Sequence, residues 1–431
     1  MFPAFSGLCG HFLALCLGLS LVLTPIQAYQ QLSDDTLRAL SRPGDEFDIH
    51  NGAVLSPFLQ PRVPGTSGHA AVLEHMVKYV QTTLPKWEIA FQNSTSKTPV
   101  TGNKDIPFVN LIARRDPPGV PVGDIARLTL VAHYDSKLEP EGFIGAIDSA
   151  APCAMLLHAM RNIDEALTQK WATAEEHGID MTLEETRGIQ IIFLDGEEAF
   201  QHWTATDSLY GARSLAESWD STINPAMSTF KTELASIEMF VLLDLLGSKD
   251  PYIQSFYPTT HWAYRNLGDL ERRLRAVGQF KSSGADPWFV DTLKTSREVE
   301  PLGGLQDDHI PFLVRGVDVV HVIDFTPHKG FPSVWHTIED DGEHLDMPTV
   351  EDWSVLVAGF AAEWMELEGH MPTADAPGRE TPPRDQKSRK ITRTPDEPKS
   401  WRRKPSVSTR RPSFPDTSWR PCFGALRVDN D

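Results

Sequence analysis

The sequence predicts an α/β fold: a doubly wound, mostly parallel central sheet flanked by helices, in one large domain. Three observations predict it. Short, near-continuous apolar runs recur at residues 127–132, 189–194, 239–243 and 319–323. Segments with helical spacing lie between them, among them residues 151–162, 209–218 and 262–277. Each run also gives way to histidines or carboxylates. Strands that are apolar on both faces are buried on both faces, which is the pattern of a parallel sheet covered by helices. No internal repeat is visible.

The elements follow in order. Residues 12–23 (FLALCLGLSLVL) form an uncharged apolar run, followed by Thr24-Pro25 and the small residue Ala28. This matches the core and cleavage site of a secretory signal, although a basic leader is missing. Residues 1–28 are therefore read as a signal peptide, with an uncleaved signal-anchor as the alternative; the run is short for a membrane span. Secretion or the lumen of the secretory pathway is the expected location. Of four cysteines, Cys9 and Cys16 lie in this leader, leaving Cys153 and Cys422, too few for a disulfide scaffold. The sequon Asn93-Ser94-Thr95 makes Asn93 a candidate glycosylation site. Residues 70–84 read as helix and 108–114 as strand, ahead of the repeating strand–helix pattern.

After about residue 370 the pattern stops. The stretch 373–421 is rich in Pro, Ser, Thr, Arg and Lys and poor in aliphatic residues. It cannot bury enough apolar surface to offset its chain entropy and reads as a disordered basic tail, residues 371–431. Charge divides the chain at the same place. The chain of 431 residues carries a formal charge of −19, from 40 Lys and Arg against 59 Asp and Glu. The tail holds 14 and 8 of these, leaving 26 and 51 in the first 370. So acidic a body repels phosphate backbones, and no nucleic-acid partner is expected.

The chemistry gathers where the strands end. After residues 127–132 comes His133-Tyr134-Asp135-Ser136-Lys137; after 189–194, Asp195-Gly196-Glu197-Glu198; after 239–243, Asp244; after 319–323, a loop to Trp335-His336. Asp148 stands just before the helix that begins near Ala151. In open α/β sheets ligands sit at the carboxyl ends of the strands. Histidine with carboxylates and no cysteine is a donor set for catalytic zinc. Adjacent side chains point different ways, so one of Glu197 and Glu198 can bind metal while the other faces substrate as a base. Taken singly, each has a bland reading: Asp148 as a helix N-cap, His133 as a bonded strand end, Asp244 as a turn former, the Glu pair as solvated surface, Trp203 and Trp335 as core. Their conjunction favours a metal site. No Gly-x-Ser-x-Gly elbow, Walker A loop or Gly-x-Gly-x-x-Gly lies between a strand and a helix.

The motifs resemble those of glutaminyl-peptide cyclotransferases, within the wider M28 zinc-aminopeptidase-like superfamily. The resemblance is carried by His133-Tyr134-Asp135-Ser136-Lys137, Asp148-Ser149-Ala150-Ala151-Pro152, Phe193-Leu194-Asp195-Gly196-Glu197-Glu198, His202-Trp203, Asp207-Ser208-Leu209-Tyr210-Gly211, Leu243-Asp244, Asp307-Asp308-His309-Ile310-Pro311-Phe312 and Val334-Trp335-His336-Thr337. It runs from about Asn110 to Leu367, so residues 29–370 would form the catalytic domain. The resemblance implies cyclisation of N-terminal glutamine in peptides and proteins to pyroglutamate, with release of ammonia. It implies one zinc per chain on Asp148, Glu198 and His336, with Glu197 as general base and acid. Asp244 and Asp307 would complete the carboxylate network and raise the pKa of Glu197. Trp203, Gln306, Phe331 and Trp335 would line the pocket, and a monomer is expected.

The main alternative lies inside the superfamily. A dinuclear zinc aminopeptidase would use His133, Asp148, Glu198, Asp244 and His336, and all five are present. A non-catalytic binding protein of the same fold is a second. The chain also departs from the pattern. Ala132 stands where animal members have a cysteine able to pair with the one matching Cys153. The loop 324–333 is a few residues longer, which bears on the position of Phe331 and the width of the pocket.

Overall fold

The computed structural model describes residues 29–176, 186–300 and 305–372. The leader of residues 1–28, nearly all of the basic tail, and Cys9, Cys16 and Cys422 lie outside the described residues. In chain order the main elements are α1 (Asp34–Ala39), α2 (Ser67–Thr83), β1 (Glu88–Lys97), β2 (Asp105–Arg115), β3 (Arg127–His133), α3 (Ala151–Glu176), β4 (Gly188–Leu194), α4 (Tyr210–Ser221), β5 (Ile237–Asp244), α5 (His261–Ala276), α6 (Ile310–Leu313), β6 (Val319–Ile323) and α7 (Met347–Trp364).

The six strands form one mixed sheet in the order β1-β2-β4-β3-β5-β6. The four apolar runs of the sequence are its parallel part, with β3 paired to β4 on one side and β5 on the other, and β6 beyond β5. The first two strands are antiparallel: β1 to β2, and β2 to β4. The sheet is thus less uniformly parallel than the apolar runs suggest. Strand β1 left no apolar run because its residues alternate between exposed and half-buried. As the edge strand it needs only one covered face. Asn93 lies on it, exposed.

Alternation along the buried strands separates two cores. Leu128, Leu130 and Ala132 of β3, with Met239, Val241 and Leu243 of β5, face the larger one under α2, α3, α5 and α7. Val131, Phe240 and Leu242 face the smaller one under α4 and α6, with Leu215 and Phe312. Helix α7 and residues 151–160 of α3 are buried almost all round, and that explains their weak amphipathic signal. Asp346 caps α7 by accepting from Thr349 N at 3.1 Å. None of the helices among the described residues is long and apolar enough to cross a membrane.

Because β4 and β5 leave β3 on opposite sides, the connections diverge at its carboxyl end. That divergence opens the crevice in which His133, Asp244 and the Glu pair come together.

Candidate metal and catalytic site

Each functional side chain is set by a turn at a strand end. Gly196 turns the chain sharply out of β4 with φ 70°, and a Cβ there would lie 2.4 Å from the Phe108 ring. Only glycine fits this close approach. The next two amides are then captured by buried Asp135, whose carboxylate accepts from Glu197 N at 3.1 Å and Glu198 N at 3.2 Å. Asp207 fixes the following loop by accepting from the amides of Phe200, Gln201 and His202, and so aims Trp203. His336 sits at φ 57°, in a turn closed by Trp335 N to Pro332 O and Thr337 N to Val334 O, both 3.0 Å.

Asp148, Glu198 and His336 offer one ligand atom each within 4.8 Å of one another. His336 Nε2 is 3.4 Å from Asp148 Oδ2 and 3.7 Å from Glu198 Oε1. Tetrahedral zinc bonds of about 2.0–2.1 Å place neighbouring donors roughly 3.3 Å apart. Asp148 Oδ2 and Glu198 Oε1 are both buried with no hydrogen-bond partner. Two negative oxygens facing an imidazole nitrogen with no donor supplied are what a cation site requires. The residues fit zinc.

A second trio, His133, Asp148 and Asp244, meets the same distance limit. Here hydrogen bonds already occupy one potential ligand atom of each residue. His133 Nε2 lies 3.0 Å from Asp148 Oδ1, and the Ser149 hydroxyl donates to Asp244 Oδ1 at 2.5 Å. In a third trio, Asp307, His309 and His321, the side chains are also hydrogen-bonded: His321 Nε2 lies 2.7 Å from Asp307 Oδ2, and His309 Nε2 lies 2.6 Å from the Tyr257 hydroxyl.

The electrostatics separate the two glutamates from Asp148. Burial, reinforced by Glu198, Asp307 and Asp308 and opposed by His133, pushes the Glu197 carboxyl well above its usual range. The shift has the expected direction, with burial rather than like charge as its first cause. Burial and Asp148 raise Glu198, against the pull of Lys137, whose Nζ is 3.4 Å from Glu198 Oε2. Asp307 rises through burial and Asp244. Burial also disfavours the Asp148 charge, but His133 and His336 outweigh it and hold that carboxyl below its usual range. The site therefore keeps one carboxylate ionised beside others that retain protons at higher pH.

A cavity of about 430 Å³ opens over this cluster. Asp148, Glu197, Glu198, Trp203, Asp244, Gln306, Phe331, Trp335 and His336 all line it, with Lys137, Leu305 and Ile323. Trp203 Nε1 donates to Gln306 Oε1 at 3.0 Å across one wall. On the other, Trp335 stacks on His336 with ring centroids 3.7 Å apart and meets Phe331 at a tilt, with centroids 4.2 Å apart. The longer loop therefore still delivers Phe331 to the pocket. Asp307 is behind the wall, buried and tied to His321. Asn93 contributes nothing to the cavity. Ala132 is buried and Cys153 is a free thiol whose Sγ–H donates to His133 O at 3.2 Å. Reading the sequence by strand ends missed Asp135 and Asp207 as organisers, since their bonds go to backbone amides.

Comparison with known proteins gives consistent matches. Residues 110–361 match peptidase family M28. The chain is 41% identical over 327 residues to the glutaminyl-peptide cyclotransferase-like protein of Bos taurus, covering 75% of this chain and 77% of that one. It is 35% identical over 317 residues to the glutaminyl-peptide cyclotransferase of the same animal, covering 73% and 81%. The crystal structure of Macrostomum lignano glutaminyl cyclase superposes with a TM-score of 0.62 at 31% identity, covering 77% of this chain and 92% of that one.

Proposed function

The chain belongs to peptidase family M28 and, within it, to the glutaminyl-peptide cyclotransferases, and from that membership we propose that it cyclises N-terminal glutamine of peptides and proteins to pyroglutamate, releasing ammonia. One observation carries the reading: the unpartnered Asp148 Oδ2 and Glu198 Oε1 face His336 in the same cavity that holds Glu197 and the Trp203–Gln306 wall.

Asp148, Glu198 and His336 would hold one zinc. When bound, the ion supplies Lewis acidity that makes the γ-carboxamide carbon electrophilic. Glu197, raised in pKa and within the cavity, takes a proton from the attacking α-amine and returns it to the departing NH₂. The new bond joins the α-nitrogen to the side-chain carboxamide carbon (Cδ), the bond from that carbon to its NH₂ breaks, and ammonia leaves. Asp307, anchored by His321, and Asp308 raise the proton affinity of Glu197, while Asp244 is held by the Ser149 hydroxyl alongside. Trp203, Gln306, Phe331 and Trp335 form the walls that orient the glutaminyl side chain and keep out water, whose attack would hydrolyse the amide instead. Because the second trio is already bonded internally, a single metal is favoured over the paired metals of an aminopeptidase.

The chain acts as a monomer in the secretory pathway or outside the cell, residues 1–28 direct it there, and Asn93, exposed on the edge strand, carries a glycan.

The test is ammonia release from a Gln-initiated dipeptide beside cleavage of a chromogenic leucine substrate, after metal stripping and zinc titration. Activity on glutamine alone, saturating at one zinc per chain, is expected. Leucine cleavage saturating at two would reassign His133 and Asp244 as ligands and make the chain an aminopeptidase. Binding of the Gln-initiated peptide without turnover would make it a non-catalytic member.

A further inference from the structure

Arg62 has no exposed surface, and none of its donors meets a carboxylate within ion-pair distance among the described residues. Its guanidinium serves backbone carbonyls instead. Nε donates to Tyr134 O at 2.7 Å, Nη1 to Phe58 O at 3.3 Å and to Ile144 O, and Nη2 to Gly145 O at 2.9 Å and Asp148 O at 3.2 Å. Three of these acceptors belong to the loop that carries Asp148. A planar fork with five donors can hold several carbonyls in fixed geometry, whereas a lysine ammonium cannot span them.

Asp340 grips the same loop from the other side. Its Oδ1 accepts from Ile147 N at 2.8 Å and its carbonyl accepts from Ala146 N at 3.1 Å. Asp340 itself is buried and continues the turn of His336, with its amide donating to Thr337 O at 3.1 Å. Among the described residues no strand pairing links the loops bearing Asp148 and His336; the Asp340 bonds tie their backbones together, beside the edge-on packing of Phe143 against His336.

We propose that Arg62 and Asp340 are positioning residues that clamp residues 144–148 from two sides and thereby set the affinity of the metal site. The inference rests on the reading of Asp148, Glu198 and His336 as zinc ligands. A purely architectural pair would affect folding and leave metal affinity alone.

The experiment uses the full chain and three variants: Arg62→Lys, Asp340→Ala and Asp340→Asn. Zinc affinity is measured by competition with a chromophoric chelator, and the melting temperature of each metal-stripped protein is recorded alongside. Arg62→Lys and Asp340→Ala are expected to weaken zinc binding about 10–100-fold. Asp340→Asn retains an oxygen to accept from Ile147 and is expected to stay within about threefold of the parent. Excess zinc should restore turnover in the weakened variants. Zinc affinity unchanged in Arg62→Lys and Asp340→Ala, whatever the melting temperature, overturns the proposal. Should Arg62→Lys fail to fold, the two Asp340 variants decide alone. If the parent binds no zinc, the ligand assignment itself falls, a result read before any variant is made.

Discussion

Two sets of buried carboxylates in this molecule are built on opposite terms. In the helical layer, Asp352 accepts from Arg42 Nη1, Lys281 N and Ser282 N at 2.8–2.9 Å. Glu271 accepts from Arg275 Nε and the amides of Trp288 and Phe289, and Glu363 from Tyr29, Leu32 N and Arg273. Around the cavity, Asp148, Glu198 and Asp308 are equally buried, yet each keeps at least one oxygen without a donor. Burying a charge is costly unless it is paired, so the first set is what stability produces and the second is what it would remove. Missing partners, more than the presence of acids, mark the functional region.

The sharpest way to break this contrast is Glu197→Gln. At a saturated carboxylate the amide would spoil several bonds. Here it takes a carboxyl out of a crowded acidic cluster, so ammonia release should fall by about 10³-fold while the melting temperature holds or rises. Retained turnover with a lowered melting temperature would place Glu197 among the structural acids. The converse change is Arg273→Met, which strips Glu363 of its cation. Urea unfolding should show a loss of about 3 kcal/mol, with kcat/KM of the folded enzyme within about twofold of the parent. A larger catalytic loss would tie the two regions together.

Supplying the missing partner should sharpen the comparison. Zinc at a hundred times its dissociation constant should stabilise the stripped protein by about 2.7 kcal/mol, and Glu198→Gln should abolish most of that gain. The smallest effect is with pH. In the metal-free protein Glu197, Glu198, Asp307 and Asp308 have raised pKa values, and burial pushes Asp324 up to about 7. The folded state then holds protons that the unfolded chain has released, so stability falls as pH rises from the usual carboxylate range towards 7. Asp148, shifted down, works the other way and loses its contribution only in strong acid. A net decline of at least about 1 kcal/mol is expected in denaturant titrations across that window. Stability that rose with pH would show the cluster to be satisfied by donors after all.

The parallel strands were legible because burial on both faces leaves an unbroken apolar run, as in residues 189–194. Their polar termini then located the cavity, and every lining residue expected from the motifs reached it. Strand β1 escaped because one solvated face dilutes its pattern, and α7 because a helix buried all round has no polar stripe to mark it. Asp135, Arg62 and Asp340 escaped for a further reason. Their partners are main-chain amides and carbonyls, which every residue possesses, so neither end of the bond is written in side-chain identity.

The thiol of Cys153 has a further consequence. It is fully buried behind His133 with alanine at the neighbouring strand position, so among the described residues the centre has no cystine to open and no accessible sulfur to alkylate. Turnover should be the same in a non-chelating phosphine reductant as in air, and the same after iodoacetamide.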